Sequence, residues 1–170
     1  MTLDSLLKDY VAYNYWANER IIHWLKTKPA EKITLYVASS FPSLRATLLH
    51  IWAAEDIWLH RLQQISPTEF LSNTFQGTDE ELFERLLQNS ESFKNFINRQ
   101  SSDFFDLTIA YKHTTGKQYE QYSAEIIQHC MQHSTFHRGQ IITIARNLEI
   151  TDPPKTDYIE YVRLKHSNLL

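Results

Sequence analysis

The segment HCMQHSTFHRGQ, residues 129–140, sets His129, His133 and His137 at four-residue intervals. On an α-helix, residues four apart lie about 6 Å apart along the axis and about 40° around it. His133 and His137 can therefore aim at one ion, as the paired histidines of helical zinc sites do. His129 stands a further turn from His137 and does not readily share that ion. The chemistry on offer is metal ligation by neutral imidazoles, provided that the segment is helical and a further ligand arrives from elsewhere. Zinc-protease chemistry is unsupported. Ser134 and Thr135 follow His133, where such enzymes place a glutamate directly after the first histidine.

The apolar pattern gives the direction of the ladder. Ile126, Cys130, Gln140, Ile141 and Ile144 fall within about 80° of His133 on a helical wheel, so the ladder is expected to point into the protein. Uncompensated imidazoles would be costly there. His50, in TLLHIWAAEDIW, shares a helical face with Thr47, Ala54, Ile57 and Trp58 and is expected to point inward as well. Sites inside helix bundles are built from side chains on facing helices. His50, His133 and His137 would supply three neutral nitrogens and leave coordination positions open, the layout of a catalytic metal.

The neighbouring residues are weighed on the same pattern. His23, His60, His113 and His166 have no partners of this kind and read as surface or rim residues; His129 reads as an ordinary residue, at most one that stands behind the ligands. Cys130 reads as a small buried hydrophobe. Glu55 and Asp56 lie near His50 in sequence but about 120–140° off its face, so no general base is identified. Gln140 is placed to orient a ligand or to reach across to Asn14, the polar residue on the first helix's stripe. The plain alternative for both residues is a buried hydrogen bond with no part in chemistry. A mid-helix glycine costs about 1 kcal/mol relative to alanine, and close helix contact at Gly139 is the expected compensation.

Four long amphipathic segments must position these residues. Leu3, Leu7, Tyr10, Ala17, Ile21 and Trp24 mark one face of a helix over Leu3 to Leu25, with Thr2 as cap and Pro29 beyond its end. A second helix is expected from Pro42, in its first turn, until Ser66-Pro67 stops it. Thr78 and Glu81 form a capping box for a third, which runs to about Arg99. LTIAYKHTTGKQYEQYS reads as two short strands around a turn at Thr114-Thr115-Gly116. Ser123 is expected to cap the fourth helix, with Glu125 favourable to its dipole, and that helix runs to about Leu148. DYIEYVRL in the tail reads as a short helix on the bundle. The link from Lys26 to Phe41 is longer than the usual connection between bundle neighbours, so it is expected to cross the bundle end. The fold class is all-α: a four-helix bundle with a long crossover connection and a small β-hairpin before the last long helix, in one domain over residues 1–170.

Composition narrows the functional classes. A 42% hydrophobic and 22% charged chain of 170 residues is an ordinary globular composition, large enough to close one core. A net charge of −3 leaves no electrostatic footprint for nucleic acid or an anionic membrane. One cysteine excludes an internal disulfide and fits a reducing, cytoplasmic compartment. The N-terminus has polar residues too frequent for a signal peptide, and no apolar run reaches spanning length.

The chain resembles the DinB/YfiT-like family of metalloenzymes over nearly all its length. YNYWANERI resembles the family's opening signature, LLHIWAAEDIWLHRL its second-helix histidine segment, and HCMQHSTFHRGQI its last ligand region; DPPKTDYIEY resembles its C-terminal segment. The resemblance implies a four-helix bundle with a crossover and one divalent metal per chain, zinc or nickel, held by His50, His133 and His137. It also implies a homodimer, and relatives that use low-molecular-weight thiols: thiol S-transferases and a mycothiol-dependent maleylpyruvate isomerase. Glu149 departs from the glycine that the family often has after the last helix. Two readings follow. One is a metal-dependent S-transferase or hydrolase acting on small molecules, in which the metal activates a thiol or water. The other is a non-catalytic metal-binding stress-response or interaction protein.

Overall fold

Helix α1 (Leu3–Lys26) starts at Thr2, whose N–H donates to Ser5 Oγ at 2.9 Å, and ends at Thr27, shortly before Pro29. The structure, a computed structural model, describes residues 1–170. The connection that follows contains a four-residue helix, α2 (Glu31–Thr34), too short to show a period in the sequence. Ile33 is buried and Lys32 Nζ donates to Leu148 O at 2.6 Å, which pins this connection to the far end of the last long helix.

Helix α3 (Leu44–Leu62) is shorter at both ends than its expected span. Ser43 is the N-cap, accepting from Ala46 N–H at 3.0 Å, so Pro42 precedes the cap rather than sitting in the first turn. The helix ends at Leu62, well before Ser66-Pro67, because Gln64 turns the backbone into the left-handed region at φ 62°. Helix α4 (Asp79–Asn98) has the Thr78/Glu81 capping box, with Glu81 N–H on Thr78 Oγ1 and Thr78 N–H on Glu81 Oε2. Strands β1 (Thr108–Lys112) and β2 (Gln118–Tyr122) pair antiparallel, with Gly116 at φ 90° in the turn. Ile109 and Tyr111 alternate inward on β1 and fix the hairpin to the bundle.

Helix α5 (Ser123–Asn147) corrects the expected cap. Tyr122 occupies the N-cap and its N–H donates to Glu125 Oε2; Ser123 is already helical and donates its hydroxyl to Phe104 O at 2.5 Å. At the other end Ile150 N–H reaches Ala145 O and Glu149 N–H reaches Arg146 O, a Schellman pair. That motif places Glu149 at φ 58°, a conformation that glycine adopts without cost. Helix α6 (Tyr158–His166) lies on α1 through Tyr161 against Tyr13 and Trp16, and Tyr13 OH donates to Thr156 O at 2.7 Å.

α1 packs on α4 and α5, and so does α3, which leaves α1 and α3 diagonal; the α1–α3 connection therefore crosses the bundle end. The result is a four-helix bundle with a crossover and one hairpin. Its interior has two apolar clusters. One gathers Ile21, Leu25, Leu48, Ile51, Leu86 and Ile141 toward the crossover. The other gathers Val11, Leu59, Phe93, Ile97, Ile127 and Cys130 toward the hairpin. No helix is long and apolar enough to cross a membrane.

Between the two clusters lies a polar layer to which all four long helices contribute. Glu55, fully buried on α3, accepts from Asn14 Nδ2 (2.7 Å), Asn18 Nδ2 (2.9 Å), Ser90 Oγ (2.5 Å) and Ser134 Oγ (3.0 Å). Arg138 Nη1 donates to Asn14 Oδ1 (2.6 Å) and Asn18 Oδ1 (2.9 Å), so the two asparagines bridge a buried cation to a buried anion. A buried charge is tolerated only when it is paired and hydrogen-bonded, and this layer meets most of that demand. Arg138 Nε alone finds no acceptor.

Candidate metal centre

The three histidines come from the two helices that face each other across one groove of the bundle. Ser43 starts α3 so that His50 falls on its α5 side, and the four-residue step on α5 aligns His133 with His137. One ring nitrogen from each of His50, His133 and His137 lies within 4.8 Å of the others. His50 Nε2 and His133 Nε2 face each other at 2.9 Å. His137 holds its Nδ1 against Gln140 Oε1 at 2.7 Å, which leaves Nε2 as the free nitrogen.

Their setting differs from the expected inward ladder. His137 is buried, but His50 and His133 are only half-buried. The centre of the α5 face that packs inside is held by Cys130, Ser134 and Ile141, and that of α3 by Ile51 and Glu55. The histidines stand at the edge of both stripes, where the groove opens to solvent. Aromatic rings border them: Phe41 of the crossover stacks on His50 at 3.9 Å and meets His137 edge-on at 5.4 Å. Phe136, largely exposed, stands 5.1 Å from His137.

Burial lowers the His50 pKa to about 4, with the neighbouring His137 adding to the effect. Burial lowers that of His133 to about 3, helped by His137, His50 and His129. His137 is also lowered by burial, against the Gln140 hydrogen bond, which favours its protonated form. All three are thus neutral near pH 7 with their lone pairs available, the state that metal ligation requires. His133 Nδ1 is buried and has no partner, so packing and the His50 contact at Nε2 set its ring. The donor set, three neutral nitrogens converging at a half-open edge, fits a divalent metal ion.

The structure separates the other candidates. Gln140 orients His137 and does not reach Asn14. Asn14 belongs to the Glu55 layer and makes no hydrogen bond to the three histidines. His129 is exposed, edge-on to Trp58 at 5.1 Å, and its ring lies 6.0 Å from that of His133 without a hydrogen bond to it. Cys130 is fully buried away from the groove, its thiol pushed well up by burial and by Glu55. His60 pairs with its own helix through Asp56 O, while His23 and His166 are exposed and His113 bonds Thr115 in the hairpin turn. Gly139 contradicts the expectation of close helix contact: a Cβ built there meets nothing within 4 Å.

Phe41 and the Glu55 layer escaped the sequence reading. Phe41 lies in a segment without periodicity, so nothing signalled its position over His50. Asn14 with Asn18 and Ser134 with Arg138 are i, i+4 polar pairs on buried stripes, and that repetition was a usable signal.

Comparison with known proteins agrees with this architecture. Protein DinB of Bacillus subtilis (strain 168) is 26% identical over 157 residues, covering 88% of this chain and 90% of that protein. Among solved structures, a DinB-like protein of Bacillus cereus superposes with a TM-score of 0.66 at 13% identity, over 85% of this chain and 91% of that one. YfiT of Bacillus subtilis, a probable metal-dependent hydrolase with an unusual four-helix bundle topology, gives a TM-score of 0.64 at 10% identity, over 85% and 89%. The DinB family's sequence model matches residues 2–168, and with the bundle, the crossover and the histidine motifs in place, the chain belongs to the DinB family.

Proposed function

We propose that this chain is a metal-dependent enzyme acting on small molecules, with one divalent ion held by His50, His133 and His137. The observation that carries the reading is the convergence of three neutral imidazoles at a half-open groove. An ion bound there supplies Lewis-acid chemistry that lowers the pKa of a thiol or a water. Gln140 fixes the His137 tautomer by accepting from Nδ1, as outer partners of metal-ligating histidines do. Phe41 holds the His50 ring flat against itself and keeps water off one side of the site.

Thiol S-transfer is preferred to hydrolysis. No carboxylate hydrogen-bonds to any of the three imidazoles; Glu55 is locked in the core and Asp56 neighbours His60. A thiol, with a pKa of about 8.5, needs far less help to ionise than water at about 15.7. The YfiT neighbour's description as a metal-dependent hydrolase keeps water activation as the second chemistry. A non-catalytic metal-binding protein is disfavoured because such a role needs a closed site, whereas His50 and His133 reach the surface. The reading includes a cytoplasmic homodimer that binds no nucleic acid, supported by the lone reduced cysteine, the family resemblance and the net charge of −3.

Cobalt substitution tests the proposal. Adding a small thiol to the cobalt protein should produce thiolate-to-cobalt charge transfer in the near ultraviolet. The Cys130→Ser protein should give the same band, since that thiol is buried elsewhere, and His137→Ala provides the blank. Full cobalt occupancy with no response to any cellular thiol would leave water activation or a structural metal.

A further inference from the structure

Three features beside the histidines are not accounted for by the packing of the bundle. Gly139 interrupts a long helix at a cost of about 1 kcal/mol relative to alanine, yet beyond its own helix turn nothing comes within 4 Å of the Cβ it lacks. Phe136 exposes most of its ring directly before a histidine of the site. The Gln140 amide uses its oxygen on His137 and leaves its NH2 without a partner. All three line one cavity of about 340 Å³, between the crossover residues Val37, Ala38 and Ser39 and the outer face of α5, where Thr143 completes the polar edge.

The lining holds no charged side chain. In a chain that is 22% charged, an open surface hollow with none is a chemical statement about its occupant. A carboxylate or ammonium placed there would lose water and gain no counter-charge. Phe136, Val37 and Ala38 supply apolar contact, and Gln140 Nε2 and Ser39 Oγ supply one or two hydrogen bonds. The volume lies at the small end of the usual range for ligand sites, about 300–1,000 Å³, and so fits a single ring or a short branched chain. Gly139 lines both this hollow and the neighbouring one beside Tyr10 and Tyr158, and its missing side chain leaves that surface open.

We infer that this cavity seats an uncharged apolar or single-ring aromatic group of the molecule handled at the histidine site. The inference rests on the metal-dependent reading above and names its substrate class. Gln140 then joins the two halves: its carbonyl orients His137 and its NH2 holds a hydroxyl or carbonyl of the bound group. A reactive centre attached to that group would lie beside His137, and Phe136 would cover the ring from the solvent side.

The test is fluorine NMR titration of 4-fluorobenzyl alcohol, 4-fluorobenzoate and 4-fluorobenzylamine into zinc-loaded and chelator-treated protein, with zinc content measured on every sample. In the chelator-treated protein, where coordination to an ion cannot contribute, the alcohol should bind at least tenfold more tightly than either charged analogue. Gly139→Leu, which fills the hollow from α5, should weaken the alcohol at least tenfold at unchanged zinc content. Ser39→Trp, which fills it from the crossover, should do the same. Alcohol binding that survives both substitutions overturns the inference, as does equal binding of the charged analogues or no binding by a fully zinc-loaded wild type. Alcohol bound in the cavity by a protein that takes up no zinc supports the cavity as a ligand site and overturns the metal reading alone.

Discussion

Replacing Glu55 by leucine should be among the most damaging substitutions in the chain, although Glu55 touches none of the three histidines. Its carboxylate receives four hydrogen bonds from three other helices. Leucine leaves those donors without an acceptor and leaves Arg138 as an uncompensated buried cation. Stranding one member of a buried charged set costs about 3–5 kcal/mol, a large share of the roughly 5–15 kcal/mol that holds a domain together. Glu55→Gln keeps the volume and one carbonyl acceptor but also removes the anion that balances Arg138, so it should cost about 3 kcal/mol, the lower end of the same range. Urea denaturation of the metal-free proteins reads both numbers. The double variant Glu55→Leu/Arg138→Met should lose less than the two single losses added together, since neither charge is then stranded. Zinc stoichiometry in Glu55→Gln should stay that of the wild type. A Glu55→Leu protein within about 1 kcal/mol of wild type would refute the idea that this layer ties the helices together.

Further outcomes follow from the same geometry. Gly139→Ala should stabilise the fold by about 1 kcal/mol, raising Tm by about 2–4 °C in a scanning calorimeter; a loss of stability would mean that the space over Gly139 is not open. Glu149→Gly should stabilise by about 1 kcal/mol by relieving the left-handed φ of 58° in the Schellman turn, and an unchanged urea midpoint would count against that strain. Acid should destabilise the metal-free protein in a defined window. His50 and His133 are held neutral in the fold, with pKa values of about 4 and about 3, while the unfolded chain takes up protons near 6.5. Their contribution is therefore fully present above pH 6.5 and is lost as pH falls through about 4 and about 3. Urea midpoints at pH 7.5, 6 and 5 should decline more steeply in the wild type than in His133→Gln, and parallel declines would contradict the depressed values.

The long helices, the hairpin and the Thr78 capping box were legible because each rests on local chemistry: a 3.6-residue apolar period, a turn glycine, a reciprocal cap. Capping fine structure was less so. Pro42 and Ser43 compete for one helix start, and the winner is set by tertiary contacts. Ser123 lost the cap at α5 because its hydroxyl is claimed by Phe104 O, a partner invisible to local pattern. The convergence of His50 with His133 and His137 could be reached from spacing, but their depth could not. Reading Glu55 as an off-face polar residue rotated the apparent α3 stripe toward His50, when the true stripe is centred on Ile51 and Glu55. A carboxylate satisfied by four donors behaves as a core residue, and hydropathy does not foresee that. Gly139 was misjudged for a related reason: a helical glycine can mark close packing or empty space, and only coordinates distinguish the two.

Metal titration bears most directly on the central claim. Isothermal titration of chelator-stripped protein with zinc, paired with elemental analysis after dialysis, should give one ion per chain. His50→Ala, His133→Ala and His137→Ala should each remove most of the bound metal, while His23→Ala and His129→Ala bind as the wild type does. Undiminished stoichiometry in the three variants, or no uptake by the wild type at pH 7.5, would contradict the assignment of these histidines as a metal site.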